Sequence, residues 1–185
     1  QVLPAYVEGD AAGDLLPLRR WPDDRFVALG RRLLEALPRA LVIVTGSPAE
    51  KEAGGLLAAR ISHPRALSLA GRTTLRELLV LFTLSEVLVT NDSGPAHFAA
   101  TTGISIVSLF GPESPRLYAP LSPRNQSLEA GLACSPCVNV FNHRWSPCRD
   151  NLCLQQISGE AVFEAVSRAL GSRPIPALPL PGRKA

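Results

Sequence analysis

Apolar positions along the 185-residue chain follow two alternating patterns. A continuous run at Leu41–Val44 suits a strand covered on both faces, and Ala66–Leu69, Val87–Thr90 and Ile104–Phe110 read as further strands. Val2–Val7 reads as a first strand interrupted by Pro4. Between these runs the spacing turns helical: Phe26, Leu29, Leu33, Leu34 and Leu37 predict a helix over Asp23–Leu37. Further helices are predicted over Ala49–Ile61, Thr74–Leu84 and Ala96–Thr102, the last closed by Gly103. A terminal helix over Ser158–Leu170 has an acidic start at Glu160 and Glu164 and a stop at Gly171. Strands and helices alternating at this spacing predict an α/β fold, a Rossmann-like parallel sheet of at least five strands with helices on both faces. From Gly111 the pattern dissolves into a proline-rich irregular stretch. We therefore expect one domain over residues 1–171, with a cysteine-containing loop at 134–153, and a Pro-rich tail over 172–185.

Composition narrows the function classes. Hydrophobic content of 46% against 19% charged residues is globular, and no apolar run reaches a membrane span. The formal charge of +3 comes from scattered arginines, which gives no electrostatic case for nucleic acid but suits a small phosphate-bearing ligand. A chain that opens on Gln1 and contains no methionine is expected to be a piece of a longer polypeptide, and it carries no charged-then-apolar leader.

Unusual polar residues gather where predicted strands end. Thr90-Asn91-Asp92-Ser93-Gly94-Pro95-Ala96-His97 packs a carboxylate, a hydroxyl, a glycine and an imidazole between a strand and a helix. Open α/β sheets bind ligands at that edge, and backbone N–H groups at a helix start attract anions. Asp92 or Ser93 can equally be a helix cap. After the second strand run, Gly46 permits close backbone approach and Glu50 can accept two ribose hydroxyls or simply complement a helix dipole. Gly71-Arg72-Thr73-Thr74 follows the third, where Thr74 can be an N-cap and Arg72 a solvated surface residue. His63, before Pro64, reads as loop surface. Convergence on one rim is the argument, and Glu50, Thr73 and Asp92 are expected to share it.

The succession Thr-Gly-x-x-x-Glu, Leu-Ala-Gly-Arg-Thr-Thr-Leu-x-Glu-Leu, Asn-Asp-Ser-Gly-Pro-Ala-His-x-Ala-Ala and Leu-Phe-Gly-Pro-x-Ser-Pro resembles glycosyltransferase family 9, the bacterial lipopolysaccharide heptosyltransferases. The likeness runs from about Arg19 to Leu170, and Asp-Ser-Gly-Pro-x-His is its most specific part. It implies the second, donor-binding domain of a two-domain GT-B enzyme, with an N-terminal acceptor domain absent from these residues. On this resemblance Asp92, Ser93, Gly94 and His97 would contact the diphosphate and sugar of an ADP-linked donor. Glu50 would meet the nucleoside, with Gly46 allowing the approach, and Thr73 would lie against base or ribose. Arg19, in Arg-Arg-Trp-Pro, falls where the family carries a cation for the phosphates, although Glu8–Leu18 departs from the family's short Gly/Ser/Thr loop.

The reaction so implied is inverting transfer of a sugar, a heptose, to a lipopolysaccharide-type acceptor, with no cofactor required for catalysis. The general base would be an aspartate of the acceptor domain, so no catalytic residue is assigned here, and Asp92 is placed on the donor side. Such an enzyme would be cytoplasmic, peripheral at the inner membrane face. A non-catalytic nucleotide- or glycan-binding module is the alternative. A sugar-nucleotide epimerase shares the helix-start phosphate site but fits the motif order less well.

Cys134, Cys137, Cys148 and Cys153 form a separate constellation. Four soft ligands within twenty residues suit tetrahedral zinc, with His143 between them as a substitute ligand. Two disulfides, or cysteines that are simply buried, are the other readings. A thioredoxin-like redox site fits poorly, because Cys-x-x-Cys does not open a helix beside a strand.

Overall fold

The computed structural model describes residues 17–142 and 145–171. The expected strand at Val2–Val7, the tail and His143 lie outside them. Helix α1 (Asp23–Ala36) is followed by β1 (Val42–Val44), α2 (Lys51–Ile61), β2 (Ala66–Ser68), α3 (Leu75–Thr83) and β3 (Val87–Asn91). Then come α4 (Gly94–Ala99), β4 (Ser105–Leu109), α5 (Pro115–Tyr118), β5 (Asn125–Leu128), α6 (Leu152–Gln155) and α7 (Gly159–Gly171). Strand β1 pairs with β2, and β3, β4 and β5 lie in that order, every pairing being parallel. The expected α/β class and parallel pairing are present, but the five strands form two sheets, of two and three strands, rather than the single sheet expected.

Alternation along the central strands sends side chains to two opposite cores. Val87, Val89, Val107 and Leu109 join Phe26, Leu29 and Leu33 of α1 and Val162, Ala165 and Val166 of α7 in one cluster. Leu88 and Ile106 point the other way, to Phe82 of α3 and Ala99 of α4. Helices thus cover both faces, and the first cluster also holds Val42 and Val44, so both sheets share one core.

Differences from the expected elements have local causes. Helix α3 starts one residue late because Thr74 is its cap, exchanging hydrogen bonds with Glu77. Helix α4 spans only Gly94–Ala99, shorter than expected, and the chain turns to Gly103 at φ +75°. Strand β5 escaped the hydropathy pattern because Asn125-Gln126-Ser127 is polar. Its ladder is reinforced by side chains instead: Ser108 Oγ donates to Asn125 Oδ1 at 2.9 Å and Asn125 Nδ2 to Ser127 Oγ at 2.9 Å. A short helix, α6, also forms inside the stretch read as irregular.

One residue ties the start of the described chain to its end. Trp21 is fully buried, its ring edge-on to Phe26 with centroids 4.7 Å apart. Its backbone N–H donates to Asn91 Oδ1 at 3.0 Å, at the end of β3, and its indole N–H to the Ile157 carbonyl at 2.9 Å. Arg25 Nη1 donates to the same carbonyl at 3.0 Å, and Asn151 Nδ2 to the Arg20 carbonyl at 2.6 Å. Trp21→Ala should cost about 3–5 kcal/mol, as for other large core truncations. Urea unfolding measures it; a loss below about 1 kcal/mol would show that this anchor is dispensable.

Candidate functional site

The residues expected to form the site fall into two groups at strand ends. After β1, Gly46 and Glu50 are in contact: a Cβ on Gly46 would stand 3.1 Å from Glu50 Cβ and 3.2 Å from its Oε2. The glycine therefore seats the Glu50 carboxylate, a different reason for a glycine from the backbone approach expected of it. Glu50 is buried, and its Oε2 accepts the Ser47 backbone N–H at 2.5 Å. Its Oε1, also buried, has no hydrogen-bond partner among the described residues. A buried carboxylate oxygen without a donor is costly, so this atom suits the hydroxyl of a ligand.

The loop after β2 closes on the same place. Gly71 donates its N–H to the Gly46 carbonyl at 2.9 Å and adopts φ +66°, where its missing side chain leaves room for the Pro48 backbone 3.0 Å away. Half-buried Thr73 follows two residues later. Thr74 proves to be the α3 cap and Arg72 is exposed, the simpler reading of both.

The second group surrounds the end of β3. Asp92 and Ser93 are buried, Gly94 opens α4, and His97 is exposed within that helix. Ser93 occupies the N-cap position of α4 but its side chain makes no capping bond. Its hydroxyl lies 3.0 Å from Thr90 Oγ1, and that hydroxyl donates to the Asn91 carbonyl at 3.0 Å. Ser93 Oγ therefore has a hydrogen-bonding neighbour within the turn itself. A side chain on Gly94 would meet nothing within 4 Å, so packing does not demand glycine there. At six residues α4 is too short for its dipole alone to carry an anion site.

Arg19 supplies a cation here. It ends a 3-10 turn at Pro17–Arg19, two residues before the Trp21 anchor, and its Nε stands 3.9 Å from Asp92 Oδ2. Its Nη2 is ion-paired with Glu113, a residue absent from the expected site. Glu113 is 3% exposed and follows the Gly111-Pro112 turn at the end of β4. The strand-end rule that picked out Asp92 applies to it equally; the prolines around it disguised it as loop. Arg19 Nε is buried and has no hydrogen-bond partner among the described residues.

The cysteine loop packs behind this turn. Ser135 Oγ donates to the Gly111 carbonyl, and the Cys137 and Val138 backbone N–H groups donate to the Pro112 carbonyl at 2.9 and 2.8 Å. A Cβ on Gly111 would collide with Leu154 Cγ at 2.7 Å and touch Cys153 Sγ at 3.0 Å. All four cysteines are free thiols, with Cys134 and Cys148 exposed and Cys153 buried, so the disulfide reading is not realised. Cys148 Sγ donates to the Asp150 carbonyl at 2.8 Å. Among the described residues no three Cys, His, Asp or Glu side chains form a cage for a metal, and the expected zinc site does not fit this geometry. Burial, with added repulsion from Cys137 and Cys148, pushes the Cys153 thiol up.

No described helix is long and apolar enough to cross a membrane. A sequence model of glycosyltransferase family 9 (heptosyltransferase) matches residues 12–144. Lipopolysaccharide heptosyltransferase 2 of Salmonella typhimurium (strain LT2) is 38% identical over 109 residues, which are 57% of this chain and 31% of that protein. E. coli ADP-heptose lps heptosyltransferase II superposes with a TM-score of 0.71 at 26% identity, over 91% of this chain and 46% of that one. The glycosyl transferase family 9 protein of Veillonella parvula gives 0.73 at 24% identity, over 94% and 47%, a likeness of fold. The chain spans less than a third of the curated relative and less than half of either solved chain.

The thiol environments predict an order of alkylation in the native state. Cys134 and Cys148 should react with iodoacetamide first and Cys153 last, because the nucleophile is the thiolate and Cys153 is both buried and held protonated. Mass mapping over time checks this. Uniform protection of all four, lifted by a chelator, would restore the metal reading.

Proposed function

The chain belongs to glycosyltransferase family 9, and from that we propose that it forms the donor-binding lobe of a GT-B heptosyltransferase acting on an ADP-linked heptose. The observation that carries the reading is Arg19 held beside buried Asp92 at the carboxyl end of β3. Charge builds on the departing diphosphate as the bond to the sugar breaks, and a fixed guanidinium in a water-poor site stabilises it. Gly94 and exposed His97 lie on the same turn, where the imidazole can add a donor to the diphosphate or the sugar. Ser93 shapes that turn through Thr90. At the neighbouring strand end, Glu50 Oε1 accepts a ribose hydroxyl and Thr73 borders the nucleoside. No metal is required by this arrangement, since Arg19 provides the positive charge.

Transfer to a lipopolysaccharide-type acceptor needs a base that deprotonates the acceptor hydroxyl. Asp92 and Glu113 both lie beside Arg19 on the donor side, so the base comes from an acceptor lobe outside these 185 residues. The native enzyme works at the cytoplasmic face of the inner membrane, where lipid-linked acceptor and soluble donor meet.

Calorimetry with ADP, adenosine and an ADP-sugar tests the reading. The chain should bind ADP more tightly than adenosine. Arg19→Ala should lose about 1–3 kcal/mol for ADP while leaving adenosine unchanged, the worth of a hydrogen bond to a charged group. Glu50→Ala should weaken both ligands alike. A folded chain that binds none of the three would support a non-catalytic module instead.

A further inference from the structure

Two buried carboxylates flanking one guanidinium are an unexpected way to receive an anion. The side chains of Asp92 and Glu113 are 7% and 2% exposed, and that of Arg19 is 12% exposed. Near an incoming diphosphate both carboxylates repel, so their presence calls for another account. Their contacts with Arg19 differ. Glu113 meets Nη2 in a close ion pair, whereas Asp92 stands 3.9 Å from Nε, beyond hydrogen-bond distance. Glu113 therefore sets where the guanidinium sits, and Nε stays without a hydrogen-bond partner among the described residues.

We propose that Glu113 is a positioning residue: it holds the Arg19 guanidinium away from Asp92 so that its remaining N–H groups meet the donor diphosphate. The proposal rests on the donor-site reading above. An arginine has five N–H donors in a rigid fork, so fixing one nitrogen orients the others. Glu113 is itself held rigidly. The Pro112 carbonyl just before it accepts two backbone N–H groups from the cysteine loop, and Gly111 lies against Leu154 and Cys153. Without Glu113, Arg19 would close the remaining gap to Asp92 and spend its Nε there. The cysteine loop then has a role of its own, as the buttress of the turn that carries Glu113.

ADP and adenosine affinities of wild type, E113A, E113Q, R19A and the R19A/E113A pair test this. E113A should weaken ADP about tenfold and leave adenosine unchanged, and the effect should vanish in the R19A background. E113Q keeps an acceptor but loses the charge, so it should fall between wild type and E113A. Should E113A unfold, E113Q decides. Tighter or unchanged ADP binding by the variants would show Glu113 to be only a competing negative charge, and overturn the proposal. Equal losses for ADP and adenosine, or an undiminished loss in the R19A background, would overturn it as well. A wild-type chain that binds neither ligand would remove the donor-site reading itself, together with this one.

Discussion

Burial of Trp21 at the end of β3 is the constraint on which the site depends. Its backbone N–H bonds to Asn91 and its indole N–H to Ile157, so a single residue locks three distant segments. Both bonds are buried, where an unmade partner costs more than the bond is worth in water. Because Asn91 precedes Asp92 and Arg19 precedes Trp21 by two residues, the lock that stabilises the core also fixes the distance between cation and carboxylate. Core stability and the placement of Arg19 beside Asp92 come from the same contacts.

In a parallel sheet with helices on both faces, polar chemistry collects at strand ends, and the segments after β1, β2, β3 and β4 carry Glu50, Gly71, Asp92 and Glu113. Glu50 is seated by a glycine, Gly71 ties the β2 loop to the β1 loop, and Glu113 is braced by the cysteine loop. The β1 loop and Glu113 are thus each supported by a segment from elsewhere in the chain, which is what holds such groups in orientation.

Much of this was readable in the pattern of residues. Period-two and continuous apolar runs located β1 to β4, and helical spacing located α1, α2, α3 and α7 to within a residue or two of their ends. Strand β5 was not readable, because its stability comes from serine and asparagine side chains that bond across the ladder. The positions of Asp92 and Arg19 were legible from motif order, but their partner Glu113 was not, since a strand-end carboxylate between prolines looks like any surface turn. One contact was also hidden: nothing in Asp-Ser-Gly-Pro indicates that the Ser93 hydroxyl lies within hydrogen-bond distance of Thr90. Nor did Cys-x-x-Cys spacing reveal four free thiols around a bracing loop, because ligand spacing limits a metal site without building one.

The central claim is that one rim holds a nucleoside diphosphate with its phosphates over Arg19 and its ribose over Glu50. A crystal structure of the chain grown with ADP tests it most directly. The account predicts diphosphate oxygens within hydrogen-bond distance of the Arg19 guanidinium, with Glu113 still paired to that arginine, and a ribose hydroxyl on Glu50 Oε1. Nucleotide bound away from the ends of β1 and β3, or phosphates turned from Arg19, would contradict it.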